Sequence, residues 1–262
     1  MSFLTASQWE QYDRDGFLKL GTVLGADDLQ ALQNRIDDIM LGRAALDYSK
    51  ILMQLDSRDG QYQNAGEQSH GHKGATLGYR KIQDLEHDDL FMAFMQKPIF
   101  REICAHIYGE NTPIAAFRAM FMNKPASAGT LLPWHQDRWS ALDRDPLLTT
   151  WTALDPATIE NGCVEVIRGS HKWGLVNPDH GSGFVSPEQA EKIMAENQTE
   201  FLEMAPGETV LLHNWLLHRS DKNHSAQSRR AFSVCYMEAA TVSSGGEQFT
   251  TIFGEESALL VA

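Results

Sequence analysis

The sequence lacks the features that mark secreted, membrane-spanning or disulfide-stabilised proteins. It has only three cysteines in 262 residues, Cys104, Cys163 and Cys235, with no CxxC pair, which predicts reduced thiols and excludes a disulfide framework or a zinc knuckle. No apolar run reaches the ~18 residues that a membrane span needs, and the first residues carry neither the basic region nor the apolar segment of a signal peptide. We therefore expect a cytoplasmic protein with no membrane partner.

Positive charge is also scarce. The 22 Lys and Arg residues stand against 35 Asp and Glu, a formal net charge of −13 that would repel a polyphosphate backbone, so we expect no nucleic-acid partner. The GxGxxG, P-loop and GxSxG motifs are missing, which excludes the commonest nucleotide-binding and serine-hydrolase classes. The composition is that of an ordinary globular protein, with 42% hydrophobic and 22% charged residues. A length of 262 residues suits one domain.

The N-terminal third of the chain predicts helices. Thr5 and Gln8 have the spacing of a capping box, and Gly16 is a typical helix end. Further along, apolar residues recur at helical spacing. The next segment is rich in Gly, Gln, Asn, Ser and His and shows neither the helical period of about 3.6 residues nor the strand period of two. The predicted segments are helices over 5–16, 26–43 and 88–109, with a new turn or kink at Pro98, and a loop or mobile lid over 56–78.

The remainder of the chain predicts short strands separated by Gly, Pro, Asn and Asp. These strands are expected at 114–123, 147–154, 162–168, 199–204, 209–213 and 229–238, with a surface helix over 187–197 capped at Ser186. Short strands after a helical third predict an α+β fold, a double-stranded β-helix (jelly-roll, cupin-like) barrel buttressed by N-terminal helices. We expect one domain over 1–262, with a helical buttress and lid loop at 1–110, the jelly-roll core at 111–240 and a tail without periodic signal at 241–262.

A candidate metal site begins with His135 and Asp137. On a strand, side chains two residues apart point to the same face, so this pair could bind one ion. Two His and one carboxylate on one side of a metal are typical of non-haem Fe(II) oxygenases. His213 and His218 both follow the Pro-Gly turn at 206–207 and either could complete the set, while an ordinary His–Asp hydrogen bond is the alternative. An H-x-H pair at 70–72 sits on the Gly-flanked loop, where solvated histidines are expected.

A buried arginine would be needed if such an oxygenase used 2-oxoglutarate, because the planar guanidinium binds a carboxylate with two hydrogen bonds and keeps its charge. Arg229 and Arg230 are the candidates on the last predicted strand. If Arg229 faces the barrel interior, so do the small residues 231, 233 and 235, which leave room for a ligand. If Arg230 faces inward, so do bulky residues that would fill the space. Alternation therefore favours Arg229.

These residues resemble the phytanoyl-CoA dioxygenase (PhyH) family of Fe(II)/2-oxoglutarate oxygenases. The resemblance runs from Tyr79 to Tyr236 and is weak over 174–197 and from Ser243 onward, the segments that we expect to set substrate choice. The motifs that carry it are Lys81-Ile-Gln-Asp84, Met122-Asn-Lys-Pro125, His135-Gln-Asp137, Trp151-Thr-Ala153, Asn161-Gly-Cys163, Gly169-Ser-His171 and His218-x-Ser220-x-x-Asn223-x-Ser225-x-x-x-Arg229.

The resemblance implies a role for each matching residue. His135, Asp137 and His218 would hold Fe(II), and His213 would be a strand histidine with an ordinary hydrogen-bond partner. The distal carboxylate of 2-oxoglutarate would bind Arg229, and the further cosubstrate contacts would be Lys81, Trp151 and Ser220. With O₂ as the second cosubstrate, the implied activity is a dioxygenase that releases succinate and CO₂. Because Asp137 is present where related halogenases have Gly or Ala, we expect hydroxylation.

The substrate prediction rests on Arg118. Alternation along 117–122 would place Arg118, Met120 and Met122 on one face and Phe117 on the other, and the resemblance turns the Met120 face toward the cavity. We expect Arg118 either to bind an anionic group of a small anionic or zwitterionic metabolite or to pair with an acidic residue of the protein. The other expected substrate contacts are Gln136 and Trp139. Three alternatives stay open: a CoA- or carrier-linked acyl substrate, a zinc hydrolase, and a jelly-roll binding protein without activity.

Overall fold

A computed structural model describes residues 2–254 of the chain. Within this part, five α-helices and thirteen strands are formed. The helices are α1 (Ala6–Asp15), α2 (Ala26–Met40), α3 (Asp89–Met95), α4 (Pro98–Tyr108) and α5 (Pro187–Glu196). The strands are β1 (Phe17–Thr22), β2 (Leu52–Leu55), β3 (Ser69–His70), β4 (Tyr79–Gln83), β5 (Ile114–Lys124), β6 (Leu132–His135), β7 (Leu148–Ala153), β8 (Val164–Val166), β9 (Glu200–Leu202), β10 (Glu208–His213), β11 (His218–Ser220), β12 (Arg229–Glu238) and β13 (Thr251–Phe253).

The strands make two antiparallel sheets. The larger has the order β1-β10-β7-β12-β5-β4-β2-β3, with β13 also paired to β5, and the smaller has the order β6-β11-β8-β9. Successive strands from β5 to β12 alternate between the sheets, with β8 and β9 neighbouring in the smaller one, which is the arrangement of a jelly roll. The predicted fold class is therefore confirmed, and its strands differ from their predicted bounds by no more than two residues at either end.

Three residues predicted to begin or end the N-terminal helices, Thr5, Gly16 and Pro98, do so in the structure. The Thr5 hydroxyl accepts from the backbone N–H of Gln8, whose side chain accepts from the Thr5 N–H, and Gly16 closes α1 in the left-handed region at φ 80°. Pro98 begins α4 in its first turn, so the predicted third helix is two helices. The second helix is three residues shorter than predicted, because the chain turns at Gly42 with φ 70°.

Three strands of the large sheet, β2, β3 and β13, were absent from the sequence prediction. β2 pairs with β3 and β4, so the 56–78 segment begins after β2 and ends before β4 at one side of the large sheet. Most of this segment is irregular, as predicted. The predicted featureless tail contains β13, which pairs with residues 114–115 at the start of β5. The rest of that tail, 255–262, lies outside the described residues.

The segment from Glu208 to His218 contains the predicted strand 209–213 and then changes sheets. β10 lies in the large sheet and β11 in the small sheet, and residues 214–217 cross between them. His213 therefore ends a strand of one sheet and His218 begins a strand of the other. This crossing decides which of the two histidines can approach β6.

The core side of the large sheet is packed by helices. Phe232, Val234 and Tyr236 of β12 pack in one apolar cluster with α2, α3 and α4, for example with Phe91 at a ring-centroid distance of 4.7 Å from Phe232. Full burial of such a side chain contributes roughly 1.5–3 kcal/mol. The opposite face of β12, toward the small sheet, carries the small residues Ser233 and Cys235, which line a cavity. Among the described residues no helix is both long and apolar enough to cross a membrane.

A β-bulge at Arg118 interrupts the predicted alternation of β5, although Arg118, Met120 and Met122 all line the cavity as predicted. Val234 pairs with Ala119 and Cys235 with Phe117, so Arg118 is an extra residue, and its φ of 63° lies in the left-handed region. Phe117 therefore packs with Cys235 on the cavity side, whereas Ala119 joins the helix-side core. The prediction that Phe117 and Ala119 share a face is wrong, because the bulge resets the period of two.

Candidate active site

The two sheets enclose a cavity of about 320 Å³. Its walls include residues from β5, β7 and β12 of the large sheet and from β6, β8 and β11 of the small one. Two connecting segments contribute the mouth, through Tyr62 and Gln68 on one side and Ser182 and Phe184 on the other. The volume is at the lower end of the ~300–1,000 Å³ that is usual for small-molecule sites.

His135, Asp137 and His218 meet in this cavity. His135 at the end of β6 is the register partner of His218 at the start of β11, and Asp137 lies two residues beyond β6. The Nε2 atoms of His135 and His218 are 3.8 and 3.9 Å from the Asp137 carboxylate oxygens. The ligand atoms of the three residues all lie within 4.8 Å of one another. The backbone N–H of Asp137 donates to the Asn214 carbonyl at 2.6 Å, which holds this acidic residue against the β10–β11 crossing.

Both imidazoles are oriented for metal binding. The Nδ1 atom of His135 is 2.8 Å from the Pro133 carbonyl oxygen, and that of His218 is 2.8 Å from the Leu216 carbonyl oxygen. Because a carbonyl oxygen only accepts, each Nδ1 carries the proton and each Nε2 presents a lone pair. Burial, followed by the neighbouring His218, holds the pKa of His135 well below its usual value, so its ring is neutral. Two imidazoles that turn Nε2 toward one carboxylate form a donor set that fits Fe(II).

Arg229 enters the same cavity without an acidic partner. Its side chain is buried, its guanidinium carbon lies 5.4 Å from the centre of the Trp151 ring, and its Nε and Nη1 atoms have no hydrogen-bond partner among the described residues. Burial lowers the pKa of Arg229 to about 10, so it remains charged at neutral pH. Ser220 also lines the cavity. An unpaired buried cation is costly, so this arrangement fits an anionic ligand.

The neighbouring Arg230 faces the other way. It donates to both carboxylate oxygens of Asp155 at 2.8 Å and to Asp37 at 2.6 Å. The predicted facing of the strand is therefore confirmed: Arg229 is on the side of Ser233 and Cys235, and Arg230 is a structural ion-pair residue.

Lys81 lines the cavity near two further cations. Burial, then the charges of Arg118 and Arg80, lower the pKa of the Lys81 ammonium from 10.5 to about 7. As the pH rises, the folded protein therefore releases this proton before the unfolded chain does. Between pH 7 and 10.5 the unfolded chain binds more protons, so the free energy of unfolding rises with pH across this window, and below pH 7 the destabilising contribution is constant.

We expect Lys81→Met to flatten that rise. Urea unfolding of metal-free wild type and variant at several pH values measures it, because the difference between their unfolding free energies should shrink steadily from pH 7 to 10.5. A pH-independent difference would show that Lys81 stays protonated in the folded protein.

Arg118 and Trp139 lie together at the cavity wall. The guanidinium carbon of Arg118 is 4.9 Å from the Trp139 ring centre and 5.1 Å from that of Phe117, within the range of cation–π contacts. Its Nε atom is buried without a hydrogen-bond partner, and no ion pair joins Arg118 to an acidic side chain within residues 2–254. The expected alternative, pairing with an acidic residue of the protein, is therefore not what the structure shows.

Gln136 does not line the cavity. Its fully buried amide donates to the carbonyls of Gly174 and Trp215 at 2.8 Å and accepts from the N–H of Val176 at 2.8 Å. The structure therefore does not bring Gln136 together with the other predicted substrate contacts, because its amide instead ties the 174–176 segment to the β10–β11 crossing.

The other histidines also have ordinary partners. His213 accepts from the N–H of Trp215, and burial lowers its pKa to about 4. His72 contacts the Met40 carbonyl at 3.0 Å, and His70 lies 3.8 Å from Asp84. Their exclusion from the candidate metal site agrees with the sequence prediction.

Several lining residues were not predicted from the sequence, and three of them are joined by ring contacts. Phe184 stacks on His135 at 4.9 Å between ring centres and contacts Tyr62 at 5.3 Å, so the two mouth segments meet above the triad. Arg80 lies against the Tyr62 ring at 4.9 Å. Adjacency to Lys81 could have drawn attention to Arg80, but irregular segments give no period from which to place Tyr62 or Phe184.

The jelly roll and its His-Asp-His cluster define a protein of the non-haem iron oxygenase class. The family model of "Phytanoyl-CoA dioxygenase (PhyH)" matches residues 12–231, and the chain belongs to this family of Fe/2-oxoglutarate-dependent dioxygenases.

Known relatives and solved structures agree with this assignment. "Phytanoyl-CoA dioxygenase domain-containing protein 1" of Mus musculus is 29% identical over 92% of this chain and 92% of its own length. A "Phytanoyl-CoA dioxygenase" of Arabidopsis thaliana is 27% identical over 90% and 89%. The crystal structure of EctD from S. alaskensis with 2-oxoglutarate and 5-hydroxyectoine has the same fold, with a TM-score of 0.70 and 20% identity over 97% of this chain and 81% of that one.

Proposed function

We propose that this protein is an Fe(II)- and 2-oxoglutarate-dependent dioxygenase that hydroxylates a C–H bond of a small anionic metabolite. The observation that carries the proposal is one cavity that joins the His135, Asp137 and His218 cluster to a buried arginine without an acidic partner. A zinc hydrolase would need the cluster but not Arg229. A binding protein would need neither the bare Nε2 atoms nor their arrangement around one carboxylate.

The residues divide into a metal set and a cosubstrate set. His135, Asp137 and His218 would hold Fe(II) on one side and leave the cavity side open. The distal carboxylate of 2-oxoglutarate would bind the guanidinium of Arg229, whose Nε and Nη1 atoms have no hydrogen-bond partner among the described residues. Ser220 and Lys81 line the same cavity and can donate to the cosubstrate, while Trp151 covers one face of the arginine.

The overall reaction converts the substrate C–H, O₂ and 2-oxoglutarate into an alcohol, succinate and CO₂, with one oxygen atom entering each of the first two products. When bound, the iron supplies the redox chemistry of this conversion. The protein positions the substrate and excludes water, and the contact of Tyr62 with Phe184 above His135 closes the mouth over the triad. The neutral state of the buried His135 keeps it available as a ligand.

A small substrate fits the cavity better than an acyl-CoA. A volume of about 320 Å³ must also take 2-oxoglutarate, which leaves no enclosed space for a nucleotide carrier. A quaternary or primary ammonium group fits poorly, because the aromatic faces of Trp139 and Tyr62 are already covered by Arg118 and Arg80. An anionic group near Arg118 is the complementary choice.

The direct test is succinate formation by the purified protein with Fe(II), 2-oxoglutarate and O₂. A panel of small carboxylic acids, amino acids and phosphonates should contain compounds that raise succinate above the rate without substrate, and omission of any of the three components should stop it. Turnover of the panel without O₂ or 2-oxoglutarate would contradict the proposal and favour the hydrolase.

Arg118→Ala should reduce kcat/KM for the best substrate by about 100-fold, because a buried anion would lose its charged partner. Uncoupled decarboxylation of 2-oxoglutarate should fall much less, since the Arg229 site is separate. Arg118→Lys should recover part of the loss, as it restores charge but not the planar guanidinium. If substrate turnover and uncoupled turnover fall together with the melting temperature, Arg118 is structural and the substrate need not be anionic.

A further inference from the structure

The cavity carries more positive charge than the metal and cosubstrate sites use. Asp137 is the only acidic side chain among its described lining residues. The cationic lining residues are Arg80, Lys81, Arg118, Lys124, Arg219 and Arg229. This concentration is unexpected in a protein whose formal net charge is −13.

Four of these cations already have partners or roles. Arg219 donates to Glu165 at 2.6 Å. The Lys124 ammonium donates to the Thr130 carbonyl at 2.6 Å, and burial holds its pKa well below the usual value. In the proposed function Arg229 serves the distal carboxylate of 2-oxoglutarate, and Lys81 donates to the same cosubstrate.

Arg80 and Arg118 remain as permanent charges that make no ion pair within 4.0 Å among the described residues, although Asp56 acts on Arg80 and Asp137 on Arg118 at longer range. Arg80 donates to the neutral amide oxygen of Gln54 at 2.9 Å and lies against Tyr62, and it makes no ion pair with an acidic side chain within residues 2–254. Burial lowers the pKa of both guanidiniums, which are nevertheless strong bases that stay protonated. Arg80 and Arg118 therefore share one feature: each has an aromatic ring on one side and no carboxylate within ion-pair distance.

A charge count of the loaded site leaves these two arginines uncompensated. Fe(II), the Asp137 carboxylate, dianionic 2-oxoglutarate and Arg229 together sum to zero. Adding Arg80 and Arg118 gives a net charge of about +2, before the partial charge of Lys81 is counted, and an unpaired charge on a largely buried side chain is costly. The missing component is the substrate.

The two arginines stand at different parts of the triad. Arg118 lies against the ring of Trp139, two residues beyond Asp137, whereas Arg80 lies against Tyr62, whose ring contacts the Phe184 ring that stacks on His135. Lys81 follows Arg80 on β4 and lines the same cavity. A ligand that reaches both guanidiniums would thus extend across the open side of the candidate metal site.

We propose that the substrate is a small acid with two separated anionic groups, one bound by Arg118 and the other by Arg80, and that the oxidised carbon lies between them. This inference rests on the proposed oxygenase function and names the substrate class of the same site. Either a dicarboxylic acid or an acid with one carboxylate and one phosphonate has this chemistry. Arg80 is then a residue that determines specificity for the second anionic group.

The test compares matched acids in the wild type. Dicarboxylic and phosphonocarboxylic acids are assayed beside monocarboxylic acids of the same chain length, with 2-oxoglutarate saturating and the hydroxylated product measured by mass spectrometry. We expect kcat/KM to be at least about 100-fold higher for a compound with two anionic groups, as for other charge-assisted contacts that are removed from a buried site. The two sets of diacids distinguish the carboxylate from the phosphonate source.

The variant Arg80→Gln should abolish most of that preference. The ratio of kcat/KM between diacid and monoacid should fall toward one, and Arg80→Lys should retain an intermediate ratio. Arg43→Gln is the matched control, because it removes one positive charge from an exposed pair with Asp38 outside the cavity. The control should keep the wild-type ratio.

Two results would overturn the inference, and each can be told from failure of the proposed function. If the wild type forms succinate with 2-oxoglutarate but oxidises monoacids as well as diacids, there is no second anion site, and this holds even if Arg80→Gln does not fold. If Arg80→Gln raises the KM for 2-oxoglutarate and leaves the diacid preference intact, Arg80 belongs to the cosubstrate site. A wild type without any 2-oxoglutarate turnover would instead refute the oxygenase proposal itself.

Discussion

Asp137→Ala is expected to abolish both iron binding and turnover. Removal of the carboxylate leaves two neutral imidazoles, which are too few to retain a labile divalent ion. Loss of a partner that only orients a ligand typically costs about 10–100-fold in metal affinity, so loss of the ligand itself should cost at least ~100-fold. Iron per protein after gel filtration and the rate of succinate formation measure the two effects.

Asp13→Ala provides the control for this experiment, because Asp13 is an exposed acidic residue of α1 and lies outside the cavity lining. It should bind iron and turn over like the wild type. The ligand assignment would be wrong if Asp137→Ala kept one iron per chain and wild-type activity. The melting temperature without metal should differ little between the two variants, since Asp137 makes no ion pair with Lys or Arg shorter than 4.0 Å among the described residues.

Arg229→Ala should raise the KM for 2-oxoglutarate by two to three orders of magnitude and leave iron binding nearly intact. A buried carboxylate that loses its charged partner costs roughly 3–5 kcal/mol, and every ~1.4 kcal/mol is tenfold in affinity. The variant should also be no less stable than the wild type without ligand, because the substitution removes a buried cation that has no acidic partner. Initial rates against 2-oxoglutarate concentration and thermal unfolding give both quantities.

Arg230→Ala should show the opposite result. Its guanidinium holds Asp155 and Asp37, so its loss should cost about 2–3 kcal/mol of stability, and the KM for 2-oxoglutarate should stay within a few-fold of the wild type. An exchange of the two phenotypes would mean that the facing of β12 in solution is reversed.

The N-terminal third of the chain pairs and packs with the barrel. β1 pairs with β10, and residues of α2 and α4 pack in the same apolar cluster as Phe232 and Val234 of β12. These contacts support our proposal that the chain acts as a single domain with a helical buttress.

Local chemistry in the sequence was enough to predict the parts of this protein that obey a regular period. Arg229 could be separated from Arg230 because β12 is a regular strand between two neighbours, and alternation then assigns small residues to one face and bulky residues to the other. The capping boxes at Thr5 and Ser186 were equally predictable, since each depends on residues three positions apart. His135 and Asp137 could also be singled out locally, because they are only two residues apart in the sequence.

The tertiary structure alone decided which distant residues meet. His218 contacts the cluster and His213 does not, because the chain changes sheets between them, and no local pattern marks that crossing. The bulge that points Arg118 at Trp139 adds one residue to β5 opposite β12, and it exists only once both strands are paired. Arg80 lines the cavity because β4 carries it there, and the Tyr62 ring of the 56–78 segment packs against its guanidinium. Periodicity is a property of a single segment, whereas register, sheet crossing and bulges are properties of pairs of segments. Local pattern therefore singled out His135, Asp137 and Arg229, whereas His218 came only from the family resemblance and Arg80 only from the tertiary structure.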